Sequence, residues 1–125
     1  MRKLLLTIVV SFIATISFAQ HYKTLGLEQY KKNLSGKYQL INRALGYSAE
    51  WTFSDKEFTC YRDGQNCVPK DIKKKTKVGA KTTYIIDFGF MDVTITIANG
   101  YLTWIEGEDN EDKMVYRIIK TEKLK

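Results

Sequence analysis

The dipeptide Asn99-Gly100 is the sequence feature that most constrains the fold of this chain. Asn-Gly between two alternating apolar runs is the strongest short-range signal of a β-hairpin, because both turn positions need a positive φ angle. A two-residue turn also fixes the register of the strands behind it, so one face of the hairpin becomes almost entirely apolar. The predicted pairs on that face are Ile97–Leu102, Ile95–Trp104 and Val93–Glu106.

A second hairpin is predicted immediately upstream, with its turn at Phe90-Met91. Its register places bulky apolar residues on the same face as the Asn99-Gly100 hairpin does. Two turns that are set independently thus agree on which face is buried, and such agreement is typical of a sequence that specifies one fold. The predicted pairs are Phe88–Val93, Ile86–Ile95 and Tyr84–Ile97.

Two further turns, at Asp55-Lys56 and Asp63-Gly64, bring together the only two cysteines of the chain. The second turn puts Cys60 directly opposite Cys67. Directly opposed residues of an antiparallel pair lie about 4.5–5.5 Å apart at Cα, which is within the range of a disulfide. We therefore predict a Cys60–Cys67 disulfide, which the oxidising environment of an exported chain would allow to form; a reactive or intermolecular thiol pair is the alternative. The first turn predicts the pairs Phe53–Phe58 and Trp51–Cys60.

A short helix over Thr24–Leu34 is predicted before the strands, because apolar residues recur there at helical spacing and Thr24 can serve as its N-cap. Further strands are predicted over Lys37–Ala44, within residues 68–80, where lysines are frequent, and over Lys113–Thr121. Periodicity leaves open whether Tyr116 or Arg117 of the last strand points inward.

These elements predict an all-β fold, a seven- or eight-stranded antiparallel up-and-down barrel with a short N-terminal helix. Closure is favoured because it removes the exposed edges of the sheet. The alternative is an α+β fold in which the helix packs on one open curved sheet.

The first nineteen residues have the pattern of an export signal, with a basic start, an apolar run over residues 4–16 and small residues before Gln20. The apolar run is shorter than the roughly 20 residues that span a bilayer. We therefore expect residues 1–19 to be cleaved near Ala19. Residues 20–125 would then form a single domain, secreted or periplasmic, with no integral membrane segment.

Composition and residue inventory argue against nucleic-acid binding and catalysis. The net charge of +6 includes two positive charges in the signal, so the remaining domain is only mildly basic. The single histidine, His21, lies near the expected mature N-terminus, where chains are usually mobile, and makes a poor general base. The acidic residues within 106–112 match no calcium loop. We predict no enzyme activity, no cofactor and no metal site.

Three segments resemble the small bacterial lipocalin-like, or calycin-type, families. They are Gly36-Lys37-Tyr38, the stretch from Trp51-Thr52-Phe53 into Ser54-Asp55-Lys56-Glu57, and Tyr116-Arg117. Lipocalins open their first strand with Gly-x-Trp, and an arginine of the last strand packs across that tryptophan; Tyr38 stands at the tryptophan position here. The resemblance implies an eight-stranded barrel and binding of a small apolar ligand.

The function predicted from the sequence is that of an exported, non-enzymatic protein that binds a small apolar or amphipathic ligand inside its barrel. A barrel of eight strands encloses room for either its own side chains or one small ligand, so a filled barrel that binds an exported protein through its loops is the alternative. An enzyme that uses carboxylates such as Glu106 is a third reading. The predicted ligand-lining residues are Tyr38, Trp51, Phe53, Tyr84, Ile86, Phe88, Ile95, Ile97 and Trp104, and the loop contact candidates are Tyr47, Arg62, Phe90 and Met91.

Overall fold

A computed structural model describes residues 19–106 and 110–124 of the chain. Those ranges contain nine β-strands and no helix. The strands are β1 (Ala19–Lys32), β2 (Tyr38–Phe53), β3 (Glu57–Arg62), β4 (Gln65–Asn66), β5 (Lys70–Val78), β6 (Lys81–Asp87), β7 (Asp92–Ala98), β8 (Tyr101–Glu106) and β9 (Asp112–Leu124). Residues 1–18 of the predicted signal and residues 107–109 of the acidic segment lie outside the described residues.

Eight of the strands are joined in a ring of antiparallel pairs, which confirms the all-β prediction. Strands β5 to β9 pair in chain order, β9 pairs with β1, and β1, β2, β3 and β5 complete the circuit. Strand β4 pairs only with β3. The ring is uneven: β1 and β2 pair along most of their length, whereas β3 and β5 share only the pairs Glu57–Asp71 and Phe58–Lys70.

The predicted helix over Thr24–Leu34 is wrong, and so is the α+β alternative that depends on it. Residues up to Lys32 belong to strand β1, and Leu34 is fully exposed in the turn that follows. A β-bulge explains the error: Gly26, at φ +98°, adds one residue between the inward-facing Thr24 and Leu27. The inward spacing there becomes three instead of two, which resembles the period of a helix.

The hairpin at Asn99-Gly100 is confirmed, with Ile95 opposite Trp104 and positive φ angles of 54° and 80° at the two turn residues. The turn predicted at Phe90-Met91 is wrong by two residues. Strand β6 instead pairs Ile86 with Val93, and residues 88–91 form a longer loop in which Gly89 adopts φ +85°. A shift of two residues keeps each side chain on its predicted face.

The predicted disulfide is confirmed: Cys60 and Cys67 are bonded, with their Cα atoms 5.1 Å apart. The register of the hairpin before it is confirmed as well, because Trp51 pairs with Cys60 and Phe53 with Phe58. A disulfide of this kind persists in oxidising compartments outside the cytoplasm. In the described ranges, no helix is long and apolar enough to cross a membrane.

Aromatic side chains fill the interior of the ring. The ring centroids of Trp51 and Tyr116 are 4.7 Å apart, and those of Phe53 and Tyr84 are 4.3 Å apart. Tyr116 is buried while Arg117 is exposed, which settles the orientation of the last strand. The fully buried side chains are Trp51, Trp104, Tyr84, Tyr116, Phe53, Phe58, Ile86, Ile95, Leu102, Val93 and Thr24.

One buried polar chain runs through this core. The Trp51 Nε1–H donates to Thr24 Oγ1 at 3.0 Å, and the Thr24 hydroxyl donates to the backbone carbonyl of Ala49 at 3.3 Å. Among the described residues, no buried side-chain nitrogen or oxygen lacks a hydrogen-bond partner. The core is thus both densely packed and fully hydrogen-bonded, as native interiors are.

Candidate functional site

Six of the nine predicted ligand-lining residues meet in the interior and are at most 2% exposed. They are Trp51, Phe53, Tyr84, Ile86, Ile95 and Trp104. Phe88 and Ile97 are partly buried and pack against this cluster. Tyr38 lies apart from it, because its hydroxyl donates to the carbonyl of Asn110 and its ring lies 4.4 Å from Lys113 Nζ. The buried six belong to one packed cluster, which fills the interior of the ring of strands.

Arg62 covers one end of the aromatic interior. It is the last residue of β3, and the alternation from Phe58 through Cys60 directs its side chain inward. The guanidinium carbon lies 4.6 Å from the ring centroid of Trp104 and 5.7 Å from that of Trp51. A cation over the face of an indole is attracted by the electron-rich ring.

The charge of Arg62 is balanced by no carboxylate within ion-pair distance in the described part of the chain. The side chain is half-buried, so water screens this charge less than it would at the surface. Its fork of N–H donors matches the geometry of a carboxylate or phosphate. Arg62 could therefore hold an anion, although its guanidinium also hydrogen-bonds Tyr116 and the carboxylates of Asp63 and Glu106 act on the same tyrosine.

Two tyrosine hydroxyls lie beside Arg62. Burial raises the pKa of Tyr116, while the charge and hydrogen bond of Arg62 oppose that rise. Burial and a hydrogen bond with Asp63 raise the pKa of Tyr47 to about 12. Both hydroxyls keep their protons at physiological pH: the Tyr47 hydroxyl is hydrogen-bonded with Asp63, and that of Tyr116 donates to Met114 Sδ at 3.7 Å. The rings of Tyr47 and Tyr116 are 6.1 Å apart, which places them at the same end.

Apolar side chains and one carboxylate also adjoin Trp104, whose Nε1–H donates to Glu106 Oε1 at 2.9 Å. The Phe88 ring packs edge-on against Trp104, with centroids 5.5 Å apart, and Met91 and Met114 pack against the buried cluster. Phe90, at the tip of the β6–β7 hairpin, is 85% exposed. The sequence-predicted loop contacts Tyr47, Arg62 and Met91 thus adjoin the core, whereas Phe90 projects into solvent.

A second polar cluster lies on the outer face of the sheet. The sequence does not predict it, because His21 is expected there to lie in a mobile N-terminal segment, whereas it belongs to β1. His21 is held in β1 with its side chain 16% exposed. Its Nδ1 lies 2.9 Å from Thr52 Oγ1, and its Nε2 lies 3.0 Å from Glu50 Oε1. No group of three or more His, Cys, Asp or Glu side chains in the described ranges could hold a metal ion.

Comparison of the chain with protein-family models, with curated proteins and with solved structures found no match.

The buried tyrosines predict a loss of stability at alkaline pH. Burial raises the pKa of Tyr84 to about 12, and Tyr47 has a similar value, against about 10 for an unfolded tyrosine. Between these values the unfolded chain releases protons that the native protein retains, so the stabilisation present below pH 10 is lost as the pH rises through 12. The urea concentration at the midpoint of unfolding should decrease as the pH is raised from 9 to 11.5. The absorbance of tyrosinate measures the ionisation of the tyrosines over the same range.

The matched control for this prediction is the Tyr47→Phe, Tyr84→Phe double variant. It retains every lysine and thus isolates the contribution of the two hydroxyls. Its urea midpoint should depend less on pH than that of the wild type, and equal slopes for the two proteins would contradict the prediction.

Proposed function

We propose that the protein is an exported, non-enzymatic binding protein whose ligand is a small amphipathic molecule with an anionic group. Arg62 would hold the anionic group. The observation that carries this proposal is the half-buried guanidinium over Trp104 and Trp51, which forms no ion pair among the described residues. Export is supported by the signal-like residues 1–19 and by the disulfide.

The side chains at the Arg62 end could bind both the anionic group and the apolar chain of such a ligand. A carboxylate or phosphate could accept hydrogen bonds from the Arg62 guanidinium, where charge assistance makes them stronger than neutral ones. The apolar chain of the ligand could then lie against Phe88, Met91 and Met114, which pack against the buried cluster. Methionine suits this role because its flexible thioether adapts to ligands of different shape.

Because side chains fill the interior, we place the ligand at the Arg62 end of the barrel, next to the aromatic rings. It would not lie along the barrel axis. Trp51 and Trp104 form the floor of that end, and their ring centroids are 5.9 Å apart. Eight-stranded barrels of this width hold either side chains or one small ligand. In this protein the side chains would fill the middle of the barrel, and the ligand would bind at the end that Arg62 covers.

The test is a fluorescence titration with decanoate, decyl phosphate and decanol. The chain has two tryptophans, both beneath Arg62, so intrinsic fluorescence reports on this end directly. Decanoate or decyl phosphate should give a saturable change, and decanol, which has the same chain without the charge, should bind at least about tenfold more weakly. No saturable response to any of the three would overturn the proposal.

A second candidate function, docking of a protein at the same end, is favoured by the exposure of Phe90. An 85% exposed aromatic ring at a hairpin tip is a typical contact residue for a protein partner. The titration separates the two candidates, because a barrel that only docks a protein has no reason to distinguish decanoate from decanol.

A further inference from the structure

We propose that the outer face of β1, β2 and β3 carries a second binding site, for a neutral saccharide built of pyranose units. The site is a groove of about 470 Å³ beside the disulfide. Thr52 and Thr59 lie at its floor, and Tyr61 and Pro69 line it as apolar surfaces. This site is separate from the Arg62 end of the barrel and does not depend on the ligand proposed there.

Strand register alone brings the groove's side chains together. Thr52 of β2 pairs with His21 of β1 and with Thr59 of β3, which forms one row across the sheet. Glu50 pairs with Tyr61, and Tyr61 pairs with Asn66, which forms the next row. Intervening residues such as Trp51 and Cys60 are buried, so both rows point outward.

One carboxylate in the groove is held in position before any ligand arrives. Glu50 Oε1 lies 3.0 Å from His21 Nε2 and 3.9 Å from Lys23 Nζ. Its other oxygen, Oε2, has no hydrogen-bond partner among the described residues, and the same holds for the Tyr61 hydroxyl and the Asn66 side-chain amide. The groove therefore presents a fixed acceptor, an amide that both donates and accepts, and a hydroxyl.

These groups match the two kinds of surface on a pyranose ring. The Tyr61 side chain is 42% exposed, and its ring face can pack against the C–H face of a sugar. The sugar's hydroxyls both donate and accept, so they can satisfy Glu50 and Asn66 together. The free oxygen of Glu50 needs a hydrogen-bond donor, which a sugar hydroxyl supplies and an ionised carboxylate or phosphate does not.

A peptide fits this groove less well. Peptides that add to a sheet need an unpaired strand edge, and at Tyr61 strand β3 is already paired with both β2 and β4. The groove also lacks a large aliphatic pocket among its lining residues. A neutral saccharide is the ligand class that uses the aromatic face and the free polar groups together.

The test is an NMR titration of the ¹⁵N-labelled secreted protein with maltotriose, cellotriose and N,N′,N″-triacetylchitotriose in turn. At least one trisaccharide should shift the amide signals of Tyr61 and Asn66 in a saturable manner. Tyr61→Ala and Asn66→Ala should each weaken that binding by about tenfold, since truncating a central aromatic or polar contact commonly has this effect. Arg62→Met should leave it unchanged, which separates this site from the one proposed above.

The matched control is Tyr101→Ala, which removes another exposed tyrosine, 45% exposed, from β8 outside the groove. Its saccharide affinity should equal that of the wild type. If Tyr61→Ala fails to fold, Asn66→Ala in the exposed β4 turn carries the test, because its side chain makes no hydrogen bond within the described residues. Absence of any saturable shift with the three trisaccharides, or wild-type affinity in both groove variants, overturns the proposal.

Discussion

Replacing Trp51 with alanine should lower the free energy of unfolding by about 3–5 kcal/mol, as expected when a fully buried aromatic side chain is truncated. Trp51 is 0% exposed, and its ring contacts those of Tyr116, Trp104 and Phe58. The loss combines the lost burial of the indole with the cavity left among rigid neighbours. A domain of this size commonly has a total stability of about 5–15 kcal/mol. The variant should therefore unfold at a much lower urea concentration.

Two control variants separate the loss of buried aromatic packing at Trp51 from other effects of a substitution. Phe90→Ala removes an aromatic ring that is 85% exposed, so its free energy of unfolding should stay within about 0.5 kcal/mol of the wild type. Thr24→Val keeps the shape of the core but leaves the Trp51 Nε1–H without its acceptor, which should cost about 1–3 kcal/mol. Equal urea midpoints for Trp51→Ala and Phe90→Ala would show that the interior is not packed as described.

Replacing Arg62 with methionine should weaken decanoate binding by about 10- to 100-fold. Hydrogen bonds to a charged group contribute about 1.5–3 kcal/mol, which corresponds to that range of affinity. Methionine retains a flexible apolar side chain of similar reach, so the affinity for decanol should change little. The measurement is the tryptophan fluorescence titration repeated on the variant.

Arg117→Met is the matched control for Arg62. It makes the same chemical change at an exposed arginine of β9 and lowers the net charge of the protein equally. Its decanoate affinity should remain that of the wild type if the guanidinium at the barrel end is responsible. An equal loss in both variants would point to long-range attraction by net charge, and an equal loss for decanol would point to a packing effect.

The local parts of the fold could be predicted from the sequence because short turns fix their own register. Asn99-Gly100 and Asp55-Lys56 set the correct pairs, and the opposition of Cys60 to Cys67 followed from the next turn. Strand β1 could not be predicted in this way. Its hairpin partner β2 follows directly, but the bulge at Gly26 interrupts the alternation that reveals a strand, and its second partner β9 is distant in sequence.

The candidate site was predictable only in part. The sequence identified Trp51 and Trp104 as interior residues and Arg62 as a loop contact, but not the stacking of Arg62 on the two indoles, which depends on closure of the ring. The cluster around His21 was missed because the residues before Thr24 are expected from the sequence to be a mobile N-terminal segment, whereas they belong to β1. A search for alternation on both sides of Gly26 would have placed His21 on the outer face.

The pairing between β3 and β5 is the shortest in the ring of strands, so it is where the ring would separate most easily. Two residue pairs join these strands, so parting them breaks fewer backbone hydrogen bonds than parting any long neighbour pair, and local openings follow the least costly route. Beyond Asp71 the free border of β5 carries a lysine at most positions up to Lys77. Such charges deter an incoming strand from another molecule. If these two pairs part, the lysines favour re-pairing of β3 and β5 within the same molecule over pairing with a second copy.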